Sequence, residues 1–282
     1  MNVSTQRRVV LCIGGHDPSG GAGILADAEA IQAAGAFAVT VVSALTDQDT
    51  CGLRHLYPQP PEQVEAQCRA LIHDSAPRVL KVGLIGDARI AEAIVRLVDA
   101  HPQLPVILDP VLASGTGQRV ADTALLEQLR QQLIPRCTMI TPNLPEARTL
   151  TDVESPADGA ARLLEMGARW VLITGTHDDT RQVTNRLHGA NGERRDWDWP
   201  RLAGEYHGSG CTLASAIAAR IALGMPLMDA VDAAQAYTWK SLQQAFRSGR
   251  CQLTPNRFYH SLDNDNDNDN DNDNDHDHDH DN

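Results

Sequence analysis

From Arg8 to Phe246, short continuous apolar runs alternate with stretches of helical period, and no other feature constrains the fold as tightly. Val106-Ile-Leu-Asp-Pro shows unbroken apolar character, the pattern of a parallel strand covered on both faces. Strands are expected at 8–13, 37–44, 78–83, 105–109, 138–141 and 170–174. Between and after them, helices are expected at 24–34, 61–74, 87–100, 122–133, 156–166, 208–223 and 226–246. Segments 181–187 and 193–199, separated by a turn with Gly189 and Gly192, read as a hairpin at the sheet edge. A βαβα order of this kind implies an α/β fold: a three-layer α/β/α sandwich around a mostly parallel central sheet.

Residues 1–262 read as one domain, because no shift in composition marks a second. From Asp263 to Asn282 aspartate alternates with asparagine and then histidine, a low-complexity tail with nothing to bury and therefore expected to be disordered. Its ten aspartates account for most of the formal charge of −13, and without them the body stands at −3. The acidity thus says nothing about partners, and no basic patch invites nucleic acid. His276, His278 and His280 offer at most weak metal binding. No apolar run approaches the ~20 residues that span a bilayer, and the N-terminus feeds directly into a strand, which argues against a signal peptide. The six cysteines make no C-x-x-C pair and no metal-ligand spacing, so free thiols in a reducing cytoplasm are expected.

Two glycine-rich loops carry the chemistry. The first, Gly14-Gly-His-Asp-Pro-Ser-Gly-Gly-Ala-Gly23, joins a strand to a helix but matches neither the G-x-G-x-x-G fingerprint nor the lysine-bearing phosphate loop. Asp27 falls at the edge of that helix's buried face, either complementing the helix N-terminus or aimed at a polar ligand. The second, His207-Gly-Ser-Gly-Cys211, opens a small-residue helix on which Leu213, Ile217 and Ile221 share a face. Gly208 and Gly210 permit a tight turn that aims consecutive N–H groups at one anion. Cys211 lies in the first helical turn, where the dipole favours a thiolate. A glycine turn before a packing helix with a buried cysteine explains the same residues.

Taken with Val42-Ser-Ala-Leu-Thr-Asp-Gln-Asp-Thr50, Lys81-Val-Gly-Leu84, Leu108-Asp-Pro-Val-Leu112 and Thr141-Pro-Asn-Leu-Pro-Glu-Ala147, these loops form an ordered set. From residue 8 to about residue 246 the chain resembles the hydroxymethylpyrimidine/phosphomethylpyrimidine kinases of thiamine biosynthesis, within the ribokinase-like kinases. The resemblance implies ATP and Mg²⁺ as cofactors and two successive phosphorylations, of a primary hydroxyl and then of the resulting phosphate monoester. It implies that Cys211 takes the hydroxyl proton while the N–H groups of Gly208, Ser209, Gly210 and Cys211 stabilise the transferring phosphoryl. Gly15, Asp27, Gln48, Leu84 and Val111 would surround the pyrimidine, with Asp27 and Gln48 reading its ring. Asp109, Asn143, Glu146, Thr174 and His207 would hold the nucleotide phosphates, Asp109 and Glu146 through Mg²⁺. Asp109 before Pro110 equally suits a turn, and Asn143 with Glu146 equally suits a helix cap. The partner implied is a small pyrimidine, with no nucleic acid and no membrane, in a homodimer.

Two positions depart from the family pattern. Thr174-Gly175-Thr176-His177 replaces a common Lys-Gly-Gly-His, which removes a cation near the triphosphate, and Gln48 stands where some members carry glutamate. Pyridoxal kinases share the fold and the glycine–cysteine loop, so a pyridoxal or pyridoxine kinase is the rival reading. A non-catalytic pyrimidine sensor is another, and the missing fingerprint argues against a nicotinamide enzyme.

Overall fold

A computed structural model of the chain describes residues 7–115, 117–176 and 180–260. Among the described residues nine strands form one sheet: β1 Val9–His16, β2 Phe37–Asp49, β3 Gly52–Pro58, β4 Val79–Val82, β5 Val106–Leu108, β6 Met139–Ile140, β7 Trp170–Ile173, β8 Gln182–Gly189 and β9 Arg194–Pro200. Their order is β3-β2-β1-β4-β5-β6-β7-β8-β9. The six from β2 to β7 run parallel, while β3 at one edge and β8 with β9 at the other are antiparallel.

Strand alternation distributes the apolar runs between two cores. Leu11 and Ile13 of β1 and Val106 and Leu108 of β5 pack under α2 Pro61–Ser75, α3 Ala88–Ala100, α4 Thr123–Gln128, α5 Leu144–Thr151 and α6 Pro156–Glu165. Val10, Cys12 and Ile107 face α1 Gly23–Ala33, α7 Ser209–Ala222 and α8 Leu227–Gln243. Helix α7 packs against both α1 and α8 as well as the sheet. That enclosed position explains Ala214, Ala216, Ala218 and Ala219, all without solvent exposure, because larger side chains would hold the neighbours apart. The architecture is the expected three-layer α/β/α sandwich around a mostly parallel sheet.

Three departures from the sequence reading have local causes. Strand β2 continues past residue 44 and turns back as β3, which the sequence reading missed. Edge strand β3 has mostly exposed residues, so it carries no continuous apolar run. Helix 122–133 is α-helical only to Gln128 and continues as a π turn, Leu129–Leu133, with Leu125, Leu129 and Leu133 still buried. Helix α5, absent from the expected helices, opens on the cap that Asn143 and Glu146 were read as equally suited to build.

The expectation of six free thiols is overturned. Cys51 and Cys251, 200 residues apart, form a disulfide with a Cα–Cα distance of 4.9 Å; Cys12, Cys68, Cys137 and Cys211 are free and buried. Sequence spacing cannot show a pairing that only the docking of distant segments creates. The bridge ties the β2–β3 turn to the segment after α8, where the Gln252 N–H also donates to the Thr50 carbonyl at 3.1 Å. With two of the six cysteines bridged, cysteine usage no longer points to a reducing compartment. Denaturing, non-reducing thiol titration should count the four free cysteines, and Cys51→Ser/Cys251→Ser should lower unfolding free energy by ~2–4 kcal/mol. Six titrating thiols would remove the bridge from the account. Among the described residues no helix is long and apolar enough to cross a membrane. The tail from Asp263, with His276, His278 and His280, lies outside the described residues.

Candidate active site

The carboxyl ends of β1, β4, β5, β6 and β7 converge, as open parallel sheets require of a ligand site. Gly14, Gly15, Gly83, Asp109, Thr141, Asn143 and Thr174 from those ends line a cavity of about 730 Å³. The two glycine loops, with Gln48 and Leu53 of β2 and β3 and Val111, Leu112 and Val120 after β5, complete the wall. A Cβ at Gly15 would stand 2.5 Å from Leu84 Cδ2, so glycine there leaves room for the Leu84 side chain.

The loops lie on each other. Gly208 is the N-cap of α7 with φ +80°, and a Cβ on it would stand 2.9 Å from Ala22 Cα and run into the Gly21 carbonyl. Gly210 has no positive φ, which corrects the expectation that both glycines shape the turn; a Cβ there would meet only Asp109, at 3.7 Å. The Thr212 N–H donates to the Gly208 carbonyl at 2.9 Å, so the N–H groups of Ser209, Gly210 and Cys211 precede the first helical bond. Arg257, 1% exposed, holds the arrangement together. Its guanidinium donates to the Gly21 carbonyl at 2.5 Å, to Thr212 Oγ1 at 2.9 Å and to Glu29 at 2.9 Å. The sequence reading missed Arg257, which stands beyond every motif and carries no local signal.

Cys211 and Asp109 stand on the same cavity wall, close enough for the charge of one to act on the other. Burial pushes the thiol up to about 12, with Lys81 opposing and Asp109 and Asp27 adding to the rise. Helix-dipole stabilisation of a thiolate is therefore outweighed, and the resting side chain is a thiol. Burial also raises Asp109, against the pull of Lys81, and Asp109 Oδ2 is buried without a hydrogen-bond partner. Asp27 stands on the cavity wall with both carboxylate oxygens already engaged. It is fully buried, takes both hydrogen bonds of Lys81 at 2.7 and 2.9 Å, and takes the Ser215 hydroxyl at 2.7 Å. Its partners lie 54 and 188 residues away, which is why helical position alone misjudged it.

Asn143 and Glu146 form a reciprocal capping box at 2.9 Å each way. Burial and then the charge of Asp109 push Glu146 up to about 8, against the backbone donors of Asn143 and Leu112. A cation between the two carboxylates would relieve both. Among the described residues no group of three or more metal-ligating side chains forms a cage. Mg²⁺ bound to nucleotide keeps several waters and needs only one or two carboxylates, so this donor set fits it.

His207 turns away from the phosphate position expected for it. Its Nε2 lies 2.6 Å from Asp17 Oδ2 and 3.0 Å from the Gln48 side-chain amide. Burial would raise Asp17, but the His207 hydrogen bond and charge, with Ser19, outweigh it and leave Asp17 lowered. An ionised Asp17 makes Nε2–H the donor, so the Gln48 amide oxygen belongs toward the ring and its NH₂ toward the cavity. Gln48, Val111 and Leu84 line that cavity.

A second cavity, about 690 Å³, opens on the other side of α7's N-terminus, lined by Trp199, Trp239, Asn185, Gln235 and Leu213. Thr174, Thr176, Ser209 and Gly210 belong to both cavities. Two compartments, each lined by both apolar and polar side chains, thus meet over a single row of N–H donors. His177 lies outside the described residues.

A family model described as phosphomethylpyrimidine kinase matches residues 17–256. A hydroxymethylpyrimidine/phosphomethylpyrimidine kinase of Salmonella typhimurium is 37% identical over 248 residues, 85% of this chain and 92% of the relative. One from Staphylococcus aureus strain Mu50 is 30% identical over 258 residues, 89% of this chain and 94% of the relative. The solved phosphomethylpyrimidine kinase of Clostridium difficile 630 superposes with a TM-score of 0.74 at 30% identity, covering 84% of this chain and all of that one. Pyridoxal kinase of Bacillus subtilis, solved with ADP, gives 0.82 at 24% identity over 91% of this chain and 99% of that one, a likeness of fold. Motif order, sheet topology and sequence identity agree, and the chain belongs to the phosphomethylpyrimidine kinase family.

Proposed function

We propose that the protein is an ATP-dependent kinase that phosphorylates 4-amino-5-hydroxymethyl-2-methylpyrimidine and then converts the monophosphate to the diphosphate. The observation that carries this reading is the pair of cavities sharing Ser209 and Gly210. A donor and an acceptor bound one in each would meet over the N–H groups that open α7. Phosphoryl transfer depends chiefly on positioning and charge stabilisation, which this arrangement supplies.

The heterocycle would lie in the first cavity against Gly15, Leu84 and Val111, with the Gln48 NH₂ donating to a ring acceptor. The nucleotide base would lie against Trp199 and Trp239, whose stacked rings stand 6.0 Å apart. Its phosphates would run toward Thr174, Thr176 and Ser209. Asp109 and Glu146 would hold Mg²⁺, which supplies charge neutralisation on the phosphates when bound. In the first transfer the thiolate form of Cys211, the minor form at neutral pH, would receive the hydroxyl proton and become the thiol; the second needs no proton acceptor, because the monoester oxygen is already ionised. A homodimer belongs to this reading, and the mass in solution checks it.

Following products over time with Mg·ATP should show the monophosphate rise and then decline as the diphosphate forms. A monophosphate that accumulates without diphosphate reduces the protein to a single-step kinase. Faster turnover of pyridoxal than of the pyrimidine replaces the substrate assignment.

A further inference from the structure

Lys81 stands on β4 with its neighbours Leu80 and Val82 in the opposite core, and its side chain is 1% exposed. An ammonium that deep is tolerated only when paired. Burial weakens its hold on the proton, yet the carboxylates of Asp27 and Asp109 outweigh that and raise its pKa. Two of its three protons go to Asp27, which Ser215 steadies from α7. The other carboxylate within 4 Å is Asp109, whose unpartnered Oδ2 lies 3.9 Å away. A donor with an unused proton and a buried acceptor with no donor therefore face each other across one cavity wall.

The surroundings keep that space open. A Cβ at Gly83 would stand 2.8 Å from Lys81 Nζ, and one at Gly14 would stand 3.6 Å from Asp27 Oδ2. Asp27, Lys81, Asp109 and Cys211 all line the acceptor cavity, whereas Ser215 does not. An ion pair needed only for packing has no reason to end at the wall where Cys211 and the phosphate cradle stand.

We propose that Lys81 is a positioning residue for phosphoryl transfer: a buried cation, anchored by Asp27 and Ser215, that holds Asp109 in place and offsets negative charge gathered at Asp109 and Cys211. It acts through those two side chains and does not touch the substrate. The inference rests on the kinase reading above.

The test removes the charge without leaving an orphan. Lys81→Met alone strands the buried Asp27 carboxylate and should fold poorly. Lys81→Met/Asp27→Asn removes both charges and keeps an amide for Ser215. Its melting temperature should recover, and calorimetry should show ADP and the pyrimidine bound within about threefold of wild type. The kcat of both transfers should nonetheless fall by about 10²-fold, the scale of losing one preorganised electrostatic group. Recovery of kcat together with stability makes the pair purely structural and overturns the proposal. If the double variant does not fold, Ser215→Ala decides: it loosens the anchor outside the cavity, so kcat should drop several-fold with KM unchanged. An unchanged kcat there also overturns it. Wild-type protein that binds the pyrimidine but never phosphorylates it refutes the kinase reading instead.

Discussion

Cys211→Ala should slow transfer to the hydroxyl by ~10²–10⁴, the usual contribution of a positioned acid or base, while ADP binding survives. The N–H groups of Ser209, Gly210 and residue 211 belong to the backbone and remain. Transfer to the monophosphate should slow much less, since its oxygen needs no deprotonation. The pH profile adds a second signature. Burial pushes the Cys211 thiol up to about 12, so the thiolate fraction rises with pH throughout the neutral range. The hydroxyl step should therefore climb between about pH 7 and pH 9 in the wild type, and the climb should be lost in Cys211→Ala. Single-turnover measurement of each step checks both expectations. If alanine slows the two transfers equally, or neither, Cys211 is not the proton acceptor and the loop is a phosphate cradle only.

Gly208→Ala is a different lesion and should depress both transfers together, by at least ~10²-fold, the cost of displacing oxyanion-type donors. Gly208 has φ +80°, which disfavours any side chain, and its missing Cβ is where the Gly21 carbonyl and Ala22 pass. Adding that carbon forces the two glycine loops apart and swings the start of α7 away from the phosphate position. Melting temperature should fall as well, because Arg257 bridges the same two loops. Gly210→Ala is the control: its Cβ makes an ordinary contact at 3.7 Å, and the backbone there needs no glycine. Its melting temperature should stay close to wild type. Equal melting losses in the two variants would show that loop contact is not what Gly208 protects.

Much of the fold was legible because it is written in local period. The apolar runs at 106–108 and 170–173 became β5 and β7, and the hairpin at the sheet edge became β8 and β9. The helix from Ser209 to Ala222 begins where the glycine loop ends. Those features depend on residues close together in the chain, so a single segment specifies them. Strand β3 escaped because only one of its flanks is paired and its side chains are mostly exposed, leaving no hydrophobic run to read.

The site was half legible for a related reason. Gly208, Cys211, Asp109 and Asn143 announce themselves through turns, helix starts and strand ends, which are local. The partners of buried charges are not. Asp27 looked available from its position on α1 and is instead shared by Lys81 and Ser215; His207 looked like a phosphate ligand and is instead bound to Asp17. Cys51 found Cys251 across 200 residues, and Arg257 reached back to both glycine loops. The sequence by itself determined the layers, the strand ends and the N–H cradle, since backbone propensity and side-chain period act over one element. Only the tertiary structure decided which charges are neutralised, because a buried ion is stable only beside the counter-charge that chain topology delivers, and topology joins elements that sequence distance keeps apart.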